Sequence, residues 1–245
     1  MKIPTFITVR TMSKRLPRKC LLSFGDVNVL EHVIKRVKHF GLDPIVCTTI
    51  EDSDDVIEKI ALKEKTKLFR GSTLHKLKRW LDCCDIFGIK KFHTVDADDP
   101  FFDADLIRNS FDLLNKGYDV VYPTESSSAG AASVGFSMTR DIVDKACKLT
   151  GDNKDTEMMW HFIEKIPGLR STILPEENVN PIKARLTLDY EEDYWLLCTV
   201  QRIVGNFASR KEVDDLFRRN PDLFKINWFR NEEWKQRQSV KSIKE

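Results

Sequence analysis

The chain has 245 residues, of which 41% are apolar and 32% charged, a composition typical of a folded domain with a substantial core. The net charge is only +2, which excludes the broadly basic surface of a nucleic-acid-binding protein. The sequence has no apolar run long enough to span a membrane and no N-terminal signal-peptide pattern, so we expect a cytoplasmic protein without a membrane partner.

Apolar segments at strand spacing and at helix spacing alternate along the first half of the chain. Strands are predicted at 3–9, 44–49, 67–69, 91–95 and 119–122. Helices are predicted at 29–40, 54–65, 74–87 and 106–115. This alternation predicts an α/β fold with a mostly parallel sheet and helices on both of its faces.

The pattern is looser after Tyr122. Small residues at 126–132 predict a mobile loop over a site, and residues 236–245 are expected to be frayed. Strands are predicted at 134–138 and 184–188, and helices at 141–149, 156–166 and 193–204.

A basic segment follows the first predicted strand directly. Residues 10–19 (Arg-Thr-Met-Ser-Lys-Arg-Leu-Pro-Arg-Lys) contain five cations in ten positions. A loop between a strand and a helix presents backbone N–H groups to an anion, and arginine and lysine add charge. The segment therefore predicts a polyphosphate site, although a solvated basic loop or a targeting signal would have similar composition.

Aspartates follow two predicted strands. Asp96, Asp98 and Asp99 come after residues 91–95, and Asp189 comes after residues 184–188. Ligands of open α/β sheets bind beyond the carboxyl ends of the strands, and Mg²⁺ prefers carboxylate and phosphate oxygens. Each group has an alternative interpretation as a turn or a helix N-cap, but their common position indicates a magnesium–triphosphate site.

The combined motifs resemble the cytidylyltransferases that activate sugars, which include the CMP-3-deoxy-manno-octulosonate synthetases, the acylneuraminate cytidylyltransferases and the spore-coat-polysaccharide type. The resemblance rests on residues 10–19, 21–22, 30–33, 69–72, 98–103, 185–189, 192–194 and 220–227. It implies a nucleotide-diphospho-sugar transferase fold, which is Rossmann-like, formed by one domain over residues 1–245. Within it, residues 123–183 would be an insertion for acceptor binding and dimerisation, and the protein would be a homodimer.

The resemblance also implies a reaction in which a sugar hydroxyl attacks the α-phosphate of CTP and releases pyrophosphate. The implied nucleotide-binding residues are Arg10, Ser13, Arg15, Lys19, Arg70 and Ser72. Those implied to be catalytic are Lys19, Arg10, Arg15 and Asp98, and the Mg²⁺ ligands are Asp98 and Asp189. The expected acceptor is a keto-sugar acid, with a phosphonate or phosphorylated compound as the alternative. Arg18 stands where the family usually has glycine.

Two other functions are compatible with parts of this pattern. Asp96-Ala-Asp98 has the Asp-x-Asp form with which glycosyltransferases of a related fold bind a nucleotide-sugar. The basic segment favours a triphosphate substrate instead, because such glycosyltransferases generally lack it. A non-catalytic nucleotide-binding relative is the second alternative, and Arg18 is the feature that suggests it.

Overall fold

Seven strands form one central sheet in the computed structural model of the protein, which describes residues 2–151, 154–176 and 182–233. The described strands are β1 (Pro4–Thr8), β2 (Ser23–Phe24), β3 (Val27–Asn28), β4 (Asp43–Thr49), β5 (Lys67–Gly71), β6 (Lys91–Asp96), β7 (Val120–Tyr122), β8 (Ser137–Thr139) and β9 (Ser171–Ile173). The described α-helices are α1 (Val29–His39), α2 (Asp55–Lys63), α3 (Lys76–Phe87), α4 (Ala104–Asn115), α5 (Arg140–Thr150), α6 (Trp160–Ile163), α7 (Glu191–Val204) and α8 (Arg210–Arg219).

The strand order is β5-β4-β1-β6-β8-β7-β9, and β2 pairs with β3 in a separate small hairpin. The four strands β5, β4, β1 and β6 are parallel to one another. Strand β8 runs antiparallel to both β6 and β7, whereas β9 pairs in parallel with β7. The mostly parallel sheet predicted from the alternation is therefore confirmed.

Local sequence explains how the helices begin and which face they bury. Helix α1 starts with a capping box, because the side chain of Asn28 accepts from the Glu31 amide while the Glu31 carboxylate accepts from the Asn28 amide. Its apolar residues Val33, Ile34 and Val37 recur at helical spacing and are fully buried against the sheet.

Apolar side chains cover both faces of the sheet. Helices α1, α2 and α4 pack on one face, and α3 and α5 pack on the other. A third cluster joins α7 and α8 to Phe24 and Phe101. None of the described helices combines the length and the apolar composition that crossing a bilayer requires.

Three predictions for the second half of the chain are wrong in detail. Residues 184–188 are not a strand, because their amides bond to two loops instead of a neighbouring strand: Leu186 to the Gly130 carbonyl and Leu188 to the Asp98 carbonyl. The helix predicted at 156–166 is only α6. The segment expected to be a mobile loop at 126–132 contains a π-helical turn, in which the buried hydroxyl of Ser127 bonds three backbone groups.

The expected insertion at 123–183 supplies β8 and β9 to the central sheet itself. Its acceptor-binding and dimerisation roles stay predictions. The residues expected to be frayed, 236–245, lie outside the described part of the chain.

Candidate active site

The carboxyl ends of the parallel strands meet at one edge of the sheet, as parallel pairing requires. The basic loop, which we define as residues 9–19, leaves β1 at this edge. Residues 96–99 leave the neighbouring strand β6 beside it, and the Ala97 amide bonds back to the Thr8 carbonyl at 3.0 Å. Cations and carboxylates separated by about 80 positions in the sequence are thus brought together.

A buried carboxylate anchors the start of the basic loop. Asp54 accepts hydrogen bonds from the Thr11 amide at 2.8 Å and the Thr11 hydroxyl at 2.7 Å. Its other oxygen accepts from the hydroxyls of Thr48 and Thr49. Burial alone would raise the pKa of Asp54, but these hydrogen bonds outweigh it and lower the pKa. The ionised form is therefore favoured, and it fixes the loop at the end of β1 and β4.

The loop closes at Arg18, whose backbone is left-handed with φ 55° and ψ 29°. The Arg18 amide donates to the Thr11 carbonyl at 3.1 Å, and its carbonyl accepts from Leu21 in a 3-10 turn over Lys19–Leu21. Glycine adopts this conformation without strain, whereas a residue with a side chain does not. The arginine side chain is exposed, so the loop keeps its course around it.

Lys19 links the two acidic segments. Its ammonium nitrogen contacts the carboxylate of Asp98, and it donates to Asp189 Oδ1 at 2.9 Å. Arg15 lies 2.5 Å from the same Asp189 oxygen. Burial disfavours the charged lysine, but Asp98 and Asp189 outweigh burial and raise the pKa of Lys19. Burial likewise acts against the Asp189 carboxylate, yet Lys19 and Arg15 lower its pKa. The three groups are therefore held in their charged forms.

Asp189 is held in place by a buried polar platform, which consists of Arg185, Asp193 and Asn227. Arg185 is fully buried and lies 3.3 Å from Asp189 Oδ2 and 2.9 Å from Asp193 Oδ1. Asp193 Oδ2 also accepts from the amides of Asp189 and Tyr190. The side-chain amide of Asn227 donates to Asp193 at 2.8 Å and so ties the C-terminal segment to the platform. These bonds fix the direction of the Asp189 carboxylate.

The acidic segment after β6 offers oxygen ligands for a divalent cation. Asp96, Asp98 and Asp99 each place one carboxylate oxygen within 4.8 Å of the others. Burial, followed by repulsion from Asp98 and Asp96, raises the pKa of Asp99 well above its ordinary value. Lys19 contacts both Asp98 and Asp189 and so brings the Asp189 carboxylate beside this acidic segment. These carboxylate oxygens fit Mg²⁺, which binds through one or two carboxylates plus phosphate oxygens.

Two clefts meet at this acidic edge. The basic-loop cleft, of about 720 Å³, is lined by Arg10, Ser13, Arg15 and Lys19. The aromatic cleft, of about 900 Å³, is lined by Tyr122, Phe136 and Trp160. Both clefts are also lined by the same five residues, Arg15, Asp96, Asp98, Glu157 and Asp189. Two ligands, one in each cleft, would therefore meet beside the carboxylates.

The structure brings together six of the eight residues predicted for the site, but not Arg70 and Ser72. Neither of these two lines either cleft. The Arg70 guanidinium is held by acceptors outside the clefts, namely the carboxylates of Asp55 and Glu58 and the carbonyls of Thr49 and Glu51. Ser72 accepts from the His75 amide before α3. Arg70 and Ser72 therefore lie outside both clefts, and their contact with the nucleotide stays a prediction.

Two residues of the site, Lys76 and Glu157, were not predicted from the sequence. Lys76 is buried at the start of α3, with its ammonium 3.3 Å from Asp96 Oδ1. Glu157 lies 3.2 Å from Arg10 and 3.9 Å from Lys76. Neither residue stands in a motif that would indicate a site. Arg185 and Asp193 are different, because their spacing from Asp189 by four positions on either side was visible in the sequence.

Residues 5–159 match the sequence model of the family described as Cytidylyltransferase. The spore coat polysaccharide biosynthesis protein SpsF of Bacillus subtilis is 25% identical over 228 residues, which cover 88% of this chain and 94% of SpsF. A solved cytidylyltransferase structure from Leptospira borgpetersenii superposes with a TM-score of 0.79 at 24% identity, covering 91% of this chain and 97% of that one.

A CMP:2-keto-3-deoxy-manno-octonic acid synthetase complexed with CTP superposes with a TM-score of 0.63 at 12% identity, covering 83% of this chain and 99% of that one. This likeness confirms the nucleotide-diphospho-sugar transferase fold. The family match spans well over half of the 245 residues and includes the basic loop and the acidic segment after β6. The chain therefore belongs to the cytidylyltransferase family.

Proposed function

We propose that the protein is a Mg²⁺-dependent enzyme that transfers CMP from CTP to a sugar hydroxyl in the synthesis of a surface polysaccharide. The observation that carries this proposal is that a cation-lined cleft and a second, larger cleft share Asp98 and Asp189. The related SpsF supports the polysaccharide role by its name, and the CTP complex of the structural neighbour supports the choice of nucleotide.

In this reaction the acceptor oxygen forms a bond to the α-phosphorus of CTP. The bond from that phosphorus to the oxygen bridging the β-phosphorus breaks, and pyrophosphate leaves. The hydroxyl proton passes to Asp96 or Glu157, the carboxylates of the shared edge that would not hold Mg²⁺. Mg²⁺ held by Asp98 and Asp189 would neutralise phosphate charge and polarise the α-phosphate. Nucleotidyl transfer needs positioning and charge neutralisation more than covalent help from the protein.

Three cations of the basic loop would bind the phosphates of CTP. Arg10, Arg15 and Lys19 lie on the basic-loop cleft, where they would stabilise the charge of the departing pyrophosphate. A lysine ammonium has three donors. Two of the Lys19 donors meet Asp98 and Asp189, so the third serves a phosphate oxygen while the lysine still orients both carboxylates.

The glycosyltransferase alternative explains the site less well. It uses Asp96-Ala-Asp98 but gives no role to the cations of the basic loop. Two of those cations, Arg15 and Lys19, lie beside Asp98 and Asp189, where they would bind the phosphates of a triphosphate. Homodimer formation follows from the family resemblance and a cytoplasmic location follows from the sequence pattern, and both stay predictions.

Equilibrium binding of CTP in the presence of Mg²⁺ tests the nucleotide part of the proposal. Lys19→Met is expected to weaken CTP binding by about ten- to hundredfold, because hydrogen bonds to charged groups contribute roughly 1.5–3 kcal/mol. Lys78→Met is the matched control, since Lys78 pairs with Asp82 on the exposed side of α3. Equal CTP affinity of the wild type and Lys19→Met would contradict the phosphate role of the basic loop.

A further inference from the structure

The aromatic cleft has a charge opposite to the one that a keto-sugar acid needs. Among the described residues, its lining includes seven acidic side chains and only three cations, and burial disfavours the charged form of only one of the seven so strongly, that of Asp99, that its pKa lies well above the ordinary value. The cations are Arg15, Lys76 and Arg185. Each is already paired with a carboxylate: Arg15 with Asp189, Lys76 with Asp96, and Arg185 with Asp193. Apart from the proposed Mg²⁺ at Asp98 and Asp189, an acceptor carboxylate would therefore meet no unpaired cation among the described lining residues.

Two of the carboxylates lie away from the proposed metal site. Glu125 follows β7 and Glu164 follows α6, and both are exposed on the lining of the cleft. Neither forms an ion pair within the described part of the chain. Burial, followed by the negative charge of Glu164, raises the pKa of Tyr122 to about 12. The negative charge of Glu164 thus acts on Tyr122.

The aromatic side chains add a second attraction for a cation. The rings of Phe136 and Trp160 lie parallel with centroids 6.4 Å apart, and Tyr122 meets Phe136 edge to face at 5.6 Å. All three side chains are half-buried, which leaves part of each ring available to a ligand. The faces of such rings carry partial negative charge and attract ammonium groups within about 6 Å.

Hydroxyl groups and an unsatisfied donor complete the lining. Thr172 and Thr187 line the same cleft, and their hydroxyls suit the hydroxyls of a sugar. The Tyr122 hydroxyl is buried and has no hydrogen-bond partner among the described residues. A buried polar group without a partner costs stability, so a ligand that supplies one would be favoured.

From this lining we infer that the acceptor is a sugar that carries a protonated amino group instead of a carboxylate, with the ammonium held near Glu125, Glu164 and the three aromatic rings. The inference rests on the proposed function, because it names the substrate that receives CMP. It disfavours the keto-sugar acid and the phosphonate, since either would place a second anion among the carboxylates.

The test uses sugars that differ only at carbon 6. Each set contains an aminomethyl, a hydroxymethyl and a carboxylate member, in the gluco, galacto and manno configurations. Binding is measured by calorimetry with CTP analogue and Mg²⁺ present, and turnover is measured separately as pyrophosphate release from CTP. The amino member of at least one set is expected to bind about fivefold or more tightly than its neutral partner, and the acid most weakly.

Two variants show whether the named carboxylates cause this preference. The double variant Glu125→Gln, Glu164→Gln is expected to reduce the preference for the amino member to about twofold or less while leaving the neutral member unchanged. Glu191→Gln, at an exposed position on α7 outside both clefts, is the matched control. Added salt is expected to weaken only the amino member, because it screens exposed charges.

Tightest binding of the acid would overturn the inference, as would equal binding of the three members or binding of none of them. Retention of the amino preference in the double variant would also overturn it. The proposed function fails by a different observation, namely that CTP neither binds nor releases pyrophosphate with any acceptor.

Discussion

Asp193→Asn is expected to destabilise the fold strongly, because it removes the main counter-ion of a fully buried arginine. Asp193 is 0% exposed and receives hydrogen bonds from Arg185, Asn227 and two backbone amides. Breaking a buried ion pair on one side costs about 3–5 kcal/mol. Arg185 keeps its contact with Asp189 at 3.3 Å, so we expect the lower end, about 3 kcal/mol.

The measurement is urea unfolding at pH 7, with the midpoint and slope compared between variants. A loss of this size corresponds to a fall of roughly 6–12 °C in Tm for a chain of this length. The variant should also have a lower kcat, because Asp193 accepts a hydrogen bond from the backbone amide of Asp189 and so orients that residue.

The neighbouring residue provides the control. Glu192 pairs with Arg230, and both side chains are partly exposed at 19% and 27%. Glu192→Gln is therefore expected to cost only about 0.2–1 kcal/mol. Equal losses for Asp193→Asn and Glu192→Gln would refute the reasoning that burial of the charges makes the first pair critical.

The remaining predictions concern single side chains of the site. Asp189→Asn should lower kcat by about 100-fold or more. Burial would raise the pKa of Asp189, but Lys19 and Arg15 outweigh it and hold that pKa low. The ionised Asp189 therefore stabilises the folded protein above about pH 4, and this stabilisation is lost as the pH falls. The urea midpoint of the wild type should accordingly drop more between pH 5 and 3 than that of Asp189→Asn. Asp99→Asn should raise the urea midpoint at pH 7 while lowering activity, because burial and then Asp98 disfavour the charged Asp99; a lower midpoint would contradict this. Arg18→Gly should leave the Tm unchanged or raise it, because φ 55° strains any residue with a side chain, Arg18 included. Arg18→Val should have a Tm lower than that of Arg18→Gly by an amount equivalent to about 1–2 kcal/mol, and equal Tm values for the two variants would contradict this explanation.

The sequence was sufficient to predict the parallel half of the fold. Strands β1, β4, β5 and β6 are buried apolar runs separated by amphipathic helices, and that alternation leaves few topologies. The position of the basic loop and of Asp98 followed, because both come directly after parallel strands. The order of the other strands was not predictable from local pattern, since β8 is antiparallel and short.

Residues that act through tertiary contacts were the least predictable. Residues 184–188 have the apolar character of a strand but pair with loops, and no local signal distinguishes the two. In the sequence Lys76 has no feature that distinguishes it from other helix residues, and only the fold shows that it lies beside Asp96. Arg70 does end a strand at the expected edge, yet the carboxylates of α2 hold its side chain outside the clefts.

Pyrophosphate release measures the proposed CMP transfer itself. The assay compares CTP, UTP, GTP and ATP with Mg²⁺ and the acceptor panel, in the wild type and in Asp98→Asn. Release is expected with CTP, and it should depend on an acceptor and be lost in Asp98→Asn. Release that is equal for all four nucleotides, or that persists in Asp98→Asn, would contradict it.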